Sequence, residues 1–309
     1  MGLDQGTFPD VLIQEMMFGL LTTEVSQADS ICTPGPFRTT MSGSVPVLKS
    51  ISTLARDEEI GLGPLAIAQE LGGEMTSASY TALARVGRSF VSDEERNDMG
   101  AYGQDAVALH LRLVRMQANF KTDRALATAL ASTTLNNEFD CASGQDGNGE
   151  WNDYTNGTPL QDLLKAADSF APDADTLVLG RSVYDALVAH PDIKAQLVNF
   201  SAGQIDYSGL AAILRVKVPN LQQIFVLDKL YNSGAKGQAL STARLFRNNA
   251  WLGHKQDLIL VEPSGAAIQN TVDQERDVDH RALKIQYARY NAILRPTKEL
   301  GVTFTNVIG

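Results

Sequence analysis

The chain has 309 residues, 44% of them hydrophobic and 20% charged, and a formal net charge of −10 at pH 7. This composition is typical of a globular protein with enough apolar material for roughly two domains. The acidic balance and the scattered basic residues argue against a nucleic-acid-binding protein, and no apolar stretch is long enough for a membrane span.

The first 40 residues combine a short apolar stretch, 11–21, with the polar run CTPGPFRTT. The stretch predicts a short helix. No basic segment precedes it, so a secretory signal is not predicted and an aqueous, cytosolic compartment is expected. Cys32 and Cys141 form neither a CxxC motif nor a zinc spacing. Unpaired thiols are the first expectation, and a disulfide stays open.

Residues 41–73 form an extended, weakly periodic segment. It contains SVPVLKSISTL, a charge cluster at 56–59 and the breakers GLGP and LGG. Some thirty residues without a clear helix or core are unusual inside a globular domain and usually serve a function or contact a partner. The alternative is a mobile surface loop.

A strand is predicted over 80–91, and it leads into a capping box at Ser92, with Glu95 at the third helical position. A helix with a 3.6-residue period follows; unbroken from Asp93 to Ala131 it would be about 58 Å long. Its main apolar stripe consists of Met99, Tyr102, Ala106, Leu109, Leu113, Met116 and Phe120, and a second, partial stripe of Val107, Leu111 and Val114. A coiled-coil or bundle helix is the alternative, but no second helix of comparable length is predicted to pair with it.

The second half alternates short elements, as expected of a compact α+β domain. CASGQDGNGEWND resembles a calcium loop, but it lacks the required register and closing Glu, so a turn-rich connection is predicted. A helix should begin at Thr158-Pro159, and Ser208 should cap a further helix. Strands are predicted at 224–227 and 258–261, in RALKIQYARYNAILRP and in LGVTFTNV.

The stretch TLVLGRSVYDALVAHPDIK, residues 176–194, predicts a strand, a tight turn and a helix. Ser182 lies on the turn in a near match to G-x-S-x-G. The bulky Val183 and Tyr184 do not fit a nucleophile elbow, so Ser182 is interpreted as the helix N-cap. A hydrolase would also need an acid and a histidine; Asp228 or Asp257 with His280 could be nominated, as in almost any chain of this length. No catalytic residue, cofactor site or metal site is predicted.

The order of these elements resembles the major capsid protein of tailed bacteriophages, the Hong Kong phage type that encapsulins share. YTALARVGRSFVSDEE resembles the strand that enters the family's spine helix, and TLVLGRSVYDALVAHPDIKAQL resembles a strand, turn and helix that precede a breaker. The resemblance implies an N-terminal arm at 1–45, an E-loop at 46–78, a peripheral domain at 79–140, an axial domain at 141–280 and peripheral return strands at 281–309.

The same resemblance implies a structural protein and no enzyme. Copies would assemble as hexamers and pentamers into an icosahedral head shell that encloses DNA without reading its sequence. A separate scaffolding protein, a portal and a decoration protein would be partners; assembly would take place in the host cytoplasm and the product would be the virion capsid. No isopeptide cross-link through Lys49 is predicted. The alternatives are an encapsulin shell and, from another class, an α/β hydrolase using Ser182.

Overall fold

A computed structural model describes residues 26–35, 40–48, 75–101, 106–142, 144–171, 173–197, 207–232, 241–263, 271–277, 281–295, 298 and 301–309. The predicted helix at 11–21, the interior of the predicted E-loop, Lys49 and His280 lie outside these residues. The chain divides into two compact units. The first is built from 84–122 and 269–290, and the second from 27–83, 123–268 and 291–309.

The described helices are α1 (Gln27–Ile31), α2 (Asp93–Ala101), α3 (Ala106–Leu130), α4 (Pro159–Phe170), α5 (Arg181–Ala189), α6 (Pro191–Leu197) and α7 (Tyr207–Arg215). The described strands are β1 (Thr33–Pro34), β2 (Ser42–Leu48), β3 (Met75–Thr81), β4 (Leu83–Ser92), β5 (Asn137–Asp140), β6 (Thr176–Gly180), β7 (Gln223–Leu227), β8 (Leu230–Asn232), β9 (Thr242–Arg244), β10 (Ala250–Gly253), β11 (Ile259–Val261), β12 (Thr271–Asp277), β13 (Ala282–Leu294) and β14 (Gly301–Thr305).

The second unit is organised by a mixed sheet of order β5-β14-β10-β6-β7. Its central strands β6 and β10 are buried at every position, which explains why their sequences are continuously apolar rather than alternating. Helix α4 buries Leu160, Leu163 and Ala167 in the core that covers this sheet. The predicted helix that begins at Pro159 and the predicted strand at the start of 176–194 are therefore confirmed.

The first unit combines α2, part of α3 and the strands β4, β12 and β13. Strand β12 pairs antiparallel with β13 from Asp277↔Ala282 to Thr271↔Ala288, and β4 also pairs with β13. A small core of Val91, Ala106, Val114 and Ile285 holds these elements together. Gly87 is required here, because a Cβ at this position would overlap the backbone of Val114.

The buried side of α3 differs from the prediction. The first unit's core takes side chains from both predicted stripes: Met99 and Ala106 from the main stripe, and the whole secondary stripe, Val107, Leu111 and Val114. Leu113 and Met116 of the predicted main stripe are half-buried. Both stripes are apolar, so the period alone did not decide which one faces β4. Two helical segments, Asp93–Ala101 and Ala106–Leu130, are described within the range predicted as one helix.

The predicted capping box is correct in its first half. The Glu95 amide donates to Ser92 Oγ at 3.0 Å, as an N-cap requires. The Glu95 carboxylate, however, contacts His110 of α3, with 2.8 Å between Oε1 and Nε2. His110 Nδ1 in turn lies 2.7 Å from Ser89 Oγ on β4. The His110 imidazole of α3 therefore contacts both β4 and α2, and its contact on α2 is the carboxylate that was predicted to complete the capping box.

Two local predictions are wrong. The N-cap of α5 is Gly180, and Ser182 lies inside the first helical turn. Ser208 likewise lies within α7, which begins at Tyr207. The last strand, β14, pairs with β10 and β5 in the second unit's sheet. Val302 and Phe304 are fully buried in the core of that sheet, which accounts for this placement.

Candidate assembly surface

Strands β2 and β3 form a two-stranded antiparallel ribbon, called here the 42–81 ribbon. The register runs over seven pairs, from Ser42↔Thr81 to Leu48↔Met75. Pro46 lies within β2, and proline is confined to edge strands because it lacks a backbone donor. The sequence therefore fits a ribbon that is not inserted into a larger sheet.

One end of the 42–81 ribbon is anchored in the second unit. Val45 and Tyr80 form an apolar cluster with Val261, Ala292 and Leu294. Only 4% of Tyr80 is exposed, and its hydroxyl donates to the Thr40 carbonyl at 3.2 Å. The phenol satisfies its polar end while its ring fills the cluster, as buried tyrosines usually do. This root fixes the direction in which the ribbon leaves the subunit.

The other described side chains of the ribbon bury little. Ser44, Ser77 and Ser79 are exposed, as is Gly43. An isolated two-stranded ribbon is at best marginally stable in water, because it has no second layer on which to bury apolar surface. The described part of the 42–81 ribbon is thus held by the face that carries Val45 and Tyr80, and the opposite face, with Ser44, Ser77 and Ser79, is exposed.

The segment that follows the N-terminal residues is also anchored in the second unit. The Ala28 amide donates to Asp123 Oδ1 of α3 at 2.9 Å, and Lys229 Nζ donates to Asp123 Oδ2 at 2.5 Å. Asp123 is fully buried, and the ammonium and amide compensate its desolvation. Ile31 is also buried, and β1 pairs parallel with β11. The described segment that contains Ala28 and Ile31 is therefore fixed to the second unit.

Sequence reasoning missed Asp123 and Lys229. They are 106 residues apart and belong to no motif, so a linear pattern carries no sign that they meet. Asp123 lies in the polar run KTDR, which is typical of an exposed helix face. The one sequence signal for the burial of Asp123 is that Ala118 and Leu126, nearby on the same helix, are apolar. Both are fully buried in the structure.

Of the residues nominated for a hydrolase, Asp228 and Asp257 are held in ion pairs, and His280 lies outside the described residues. Asp228 pairs with Arg244 and, at 3.3 Å, with Arg181. Asp257 pairs with Arg295 at 2.8 Å, and both side chains are buried. The carbonyls of Phe246 and Arg247 lie so close to Gly180, at the start of α5, that a side chain would not fit there. The strand-turn-helix at Ser182 is architectural in the part of the chain that the structure describes.

The acidic loop after β5 uses its carboxylates for internal bonds. Asp153 Oδ1 accepts from the Thr155 amide at 3.0 Å and Oδ2 from Asn156 Nδ2 at 2.9 Å. These donors, Asn156 first, hold the pKa of Asp153 below its usual value. Within the described residues, no group of three or more His, Cys, Asp or Glu side chains is arranged to hold a metal ion.

Two further features concern thiols and membranes. Cys32 and Cys141 are buried, and neither is part of a disulfide. Burial raises the pKa of the Cys141 thiol, so it stays protonated and unreactive. Of the helices in the described ranges, none has both the length and the apolar content needed to cross a membrane.

Comparison with known proteins identifies the role of this architecture. The chain has a TM-score of 0.67 with a phage-related protein from Bordetella bronchiseptica RB50, at 15% identity over 92% of this chain and 93% of the other. The capsid protein of cyanophage P-SCSP1u gives a TM-score of 0.50, at 13% identity over 89% and 86%. Residues 101–223 match the model of the family described as phage major capsid protein E.

The chain is similar to phage major capsid proteins, in sequence over residues 101–223 and in fold over most of its length. Its fold is the α+β fold of the Hong Kong phage type, as the resemblance predicted. A virus-like particle from Pyrococcus furiosus also shares this fold, with a TM-score of 0.53 and 12% identity over 94% of this chain and 99% of the other. No match was found among curated protein sequences.

A coat protein of a phage head works in a multi-subunit shell, in the virion capsid. The family match favours this function over the encapsulin alternative, because the matching model describes phage capsid proteins. The family is structural, and the functional surfaces of such a subunit are those that contact other copies. The 42–81 ribbon and the anchored segment at 26–35 are the described candidates.

Proposed function

We propose that the 42–81 ribbon is the stem of the E-loop, and that residues 49–74 clasp a neighbouring copy within the hexamers and pentamers of the head shell. The observation that carries this proposal is the contrast between the buried root and the exposed strands of the ribbon. Ordering each loop residue costs about 1 to 2 kcal/mol. A neighbouring subunit can offset this cost, because it offers surface to bury.

The same proposal assigns the remaining parts of the chain. Residues 1–45 are the N-terminal arm, 46–78 the E-loop, 79–140 the peripheral domain with its spine helix, and 141–280 the axial domain. Of the return strands at 281–309, β13 pairs with β4 and β12, which supports a peripheral position. Strand β14 pairs with β10, which supports an axial position instead.

The net charge of the chain bears on one proposed partner, the enclosed DNA. Its net charge of −10 supports an inner wall that confines DNA without binding its sequence, because an acidic surface repels phosphates. A separate scaffolding protein, a portal and a decoration protein complete the proposed assembly in the host cytoplasm. Many interfaces of moderate strength, repeated by symmetry, would close the shell.

Replacement of residues 50–74 by a short Gly/Ser turn tests the proposal. We expect the variant to fold, because the described cores lie outside this segment, and to form no closed shells by negative-stain electron microscopy. A matched control carries a Gly/Ser linker of the original length in place of 50–74. Both variants should lose assembly, since the clasp needs specific side chains. Closed shells from the short-turn variant would disprove the role of the loop.

A further inference from the structure

Three polar side chains of the first unit, each from a different element, are linked in a line by hydrogen bonds. Ser89 Oγ of β4 lies 2.7 Å from His110 Nδ1 of α3. His110 Nε2 lies 2.8 Å from Glu95 Oε1 of α2. A serine, an imidazole and a carboxylate in this order are the parts of an activated nucleophile, because the ring can take the serine proton while the carboxylate orients the ring.

The packing of α3 on β4 explains why Ser89 meets His110. A Cβ at Gly87 would overlap the backbone of Val114, so the strand and the helix are in close contact at this point. Ser89 lies on the same face of β4 as Gly87, because side chains alternate along a strand, and it is about 7 Å further along. His110 precedes Val114 by four residues, about 6 Å along the helix. The two spacings match, so the hydroxyl and the imidazole come together.

The carboxylate decides which ring nitrogen carries the proton. An ionised Glu95 can only accept, so Nε2 of the neutral ring donates to it and Nδ1 keeps its lone pair. The Ser89 hydroxyl therefore donates to Nδ1, and the separation of 2.7 Å is within the reach of a general base. In serine proteases Nε2 faces the serine, so the two ring nitrogens have exchanged roles here, but the proton still moves from a hydroxyl to an imidazole.

The line of side chains is partly accessible from solvent. Ser89 is half-buried, and 13% of the His110 side chain and 37% of the Glu95 side chain are exposed. The serine is thus neither sealed in the core nor fully solvated. A small reagent can approach its oxygen, whereas the mostly buried ring keeps a fixed orientation toward it.

We propose that Ser89 is a nucleophile that takes an acyl group from a small activated ester, with His110 as the general base and Glu95 as a positioning residue. The serine oxygen attacks the carbonyl carbon while its proton moves to Nδ1. The bond to the ester oxygen then breaks, and the proton leaves with the alcohol, so the products are an acyl-serine and the free alcohol. This site goes beyond the shell-building role and does not rest on the E-loop.

The size of the expected effect follows from the groups assigned. The proposal includes no oxyanion hole, so the gain over an unassisted serine is that of general-base catalysis, about 10²- to 10⁴-fold in rate. One acyl group is transferred to each subunit.

Covalent labelling of the full-length chain with a fluorophosphonate tests the site, because the same attack displaces fluoride and leaves a stable phosphonyl-serine. Cleavage after arginine places Ser89 and Ser92 in one peptide, SFVSDEER, so its fragment masses compare the two serines in one sample. Ser92 is the matched control: it is also half-buried, and its Oγ accepts from the Glu95 amide at 3.0 Å as a helix cap. We expect Ser89 to be labelled about 100-fold faster than Ser92, or more.

Two substitutions separate reactivity from folding. His110→Gln removes the base and should slow the labelling of Ser89 by about 100-fold or more. Glu95→Gln keeps an oxygen that can accept from Nε2 but removes the charge that stabilises the imidazolium. A role in folding alone would leave the labelling rate of this variant unchanged, whereas we expect it to fall about ten-fold, since the carboxylate is partly exposed. Urea midpoints of both variants are measured alongside.

A second reagent checks the acyl transfer itself. With p-nitrophenyl acetate, the parent should release an initial burst of p-nitrophenol that Ser89→Ala lacks, and the acetyl group should be found on Ser89. Equal labelling of Ser89 and Ser92, or no label on Ser89, would overturn the proposal. An unchanged rate in Glu95→Gln would overturn it as well, and this variant decides the matter if His110→Gln fails to fold.

Discussion

The central sheet of the second unit and the 42–81 ribbon differ in how far their strands are buried. Every residue of β6 and β10 is buried, and the sheet continues on both sides of each strand. In the ribbon, Val45 and Tyr80 are the described residues that are buried, and Ser44, Ser77 and Ser79 are exposed. The sheet is covered by the core of its own unit, whereas the described part of the ribbon is buried only where Val45 and Tyr80 pack.

The amino-acid sequences of the two regions reflect this difference in burial. The run TLVLG has apolar side chains pointing to both faces, as a strand covered on two sides requires. SGSVPVL and MTSASYT are rich in small hydroxyl residues and contain a proline. Strands of this composition contribute little to the stability of the free subunit, because they bury little apolar surface. Their hydroxyl groups can form hydrogen bonds with a partner.

The largest expected effect comes from the central sheet. Trp251→Ala should lower the free energy of unfolding of the free subunit by about 3 to 5 kcal/mol, as large aromatic truncations in cores do. The indole is fully buried, donates to Asn136 Oδ1 at 2.9 Å and lies 5.0 Å from Arg295 Cζ. Urea denaturation followed by circular dichroism measures the loss. Phe90→Ala is the matched control, because half of Phe90 is exposed, and it should cost less than about 1 kcal/mol.

A substitution at the ribbon root should separate folding from assembly. Tyr80→Ala removes the ring that joins the ribbon to Val261 and Leu294, at a local cost of about 2 kcal/mol. Exchange of ribbon amides should rise on the order of 30-fold, shell yield should fall, and the global unfolding midpoint should change little. Tyr80→Phe, which loses only the bond to Thr40, should cost about 1 kcal/mol. If Tyr80→Ala lowered the global midpoint as much as Trp251→Ala, the ribbon and the sheet would not differ as described.

The smallest effect concerns the pH dependence of the central core. Burial raises the pKa of Asp162, although Trp151 Nε1 and Thr158 Oγ1 donate to its carboxylate. The folded state therefore keeps this proton to a higher pH than the unfolded chain. Stability should fall as pH rises from the ordinary carboxyl pKa, about 3.9, through the raised value, with a slope of at most about 1.4 kcal/mol per pH unit.

Asp162→Asn should remove this component of the slope, since an amide does not titrate. Urea midpoints collected between pH 3.5 and 7 for the two proteins provide the test. Parallel curves would mean that the carboxylate has the same affinity for protons in both states. Asp146→Asn is a suitable control, because Asp146 is an exposed aspartate in the loop that precedes α4.

Helices and strands that are determined mainly by their own local sequence were predictable. The strand at 176–180 and the helix that begins at Pro159 follow from a continuous apolar run and from a proline at the first helical position. The choice between the two stripes of α3 was not predictable, because it depends on which side β4 covers. The Asp123–Lys229 pair and the position of β14 depend on contacts between segments far apart in sequence, which no local period encodes.

The prediction of Ser182 as the N-cap of α5 was wrong for a different reason. Ser182 and Asp185 match the pattern of an N-cap and its third position, but Gly180 takes the cap because the carbonyls of Phe246 and Arg247 leave no room for a side chain there. A tertiary contact thus shifted the helix start by two residues. Asp185 instead pairs with Arg181 at 3.0 Å.

The imidazole of His110, on α3, contacts two other elements of the first unit at once: Nδ1 lies 2.7 Å from Ser89 Oγ of β4, and Nε2 lies 2.8 Å from Glu95 Oε1 of α2. Because one ring serves both contacts, loss of this side chain would release the strand and the helix together and not one at a time.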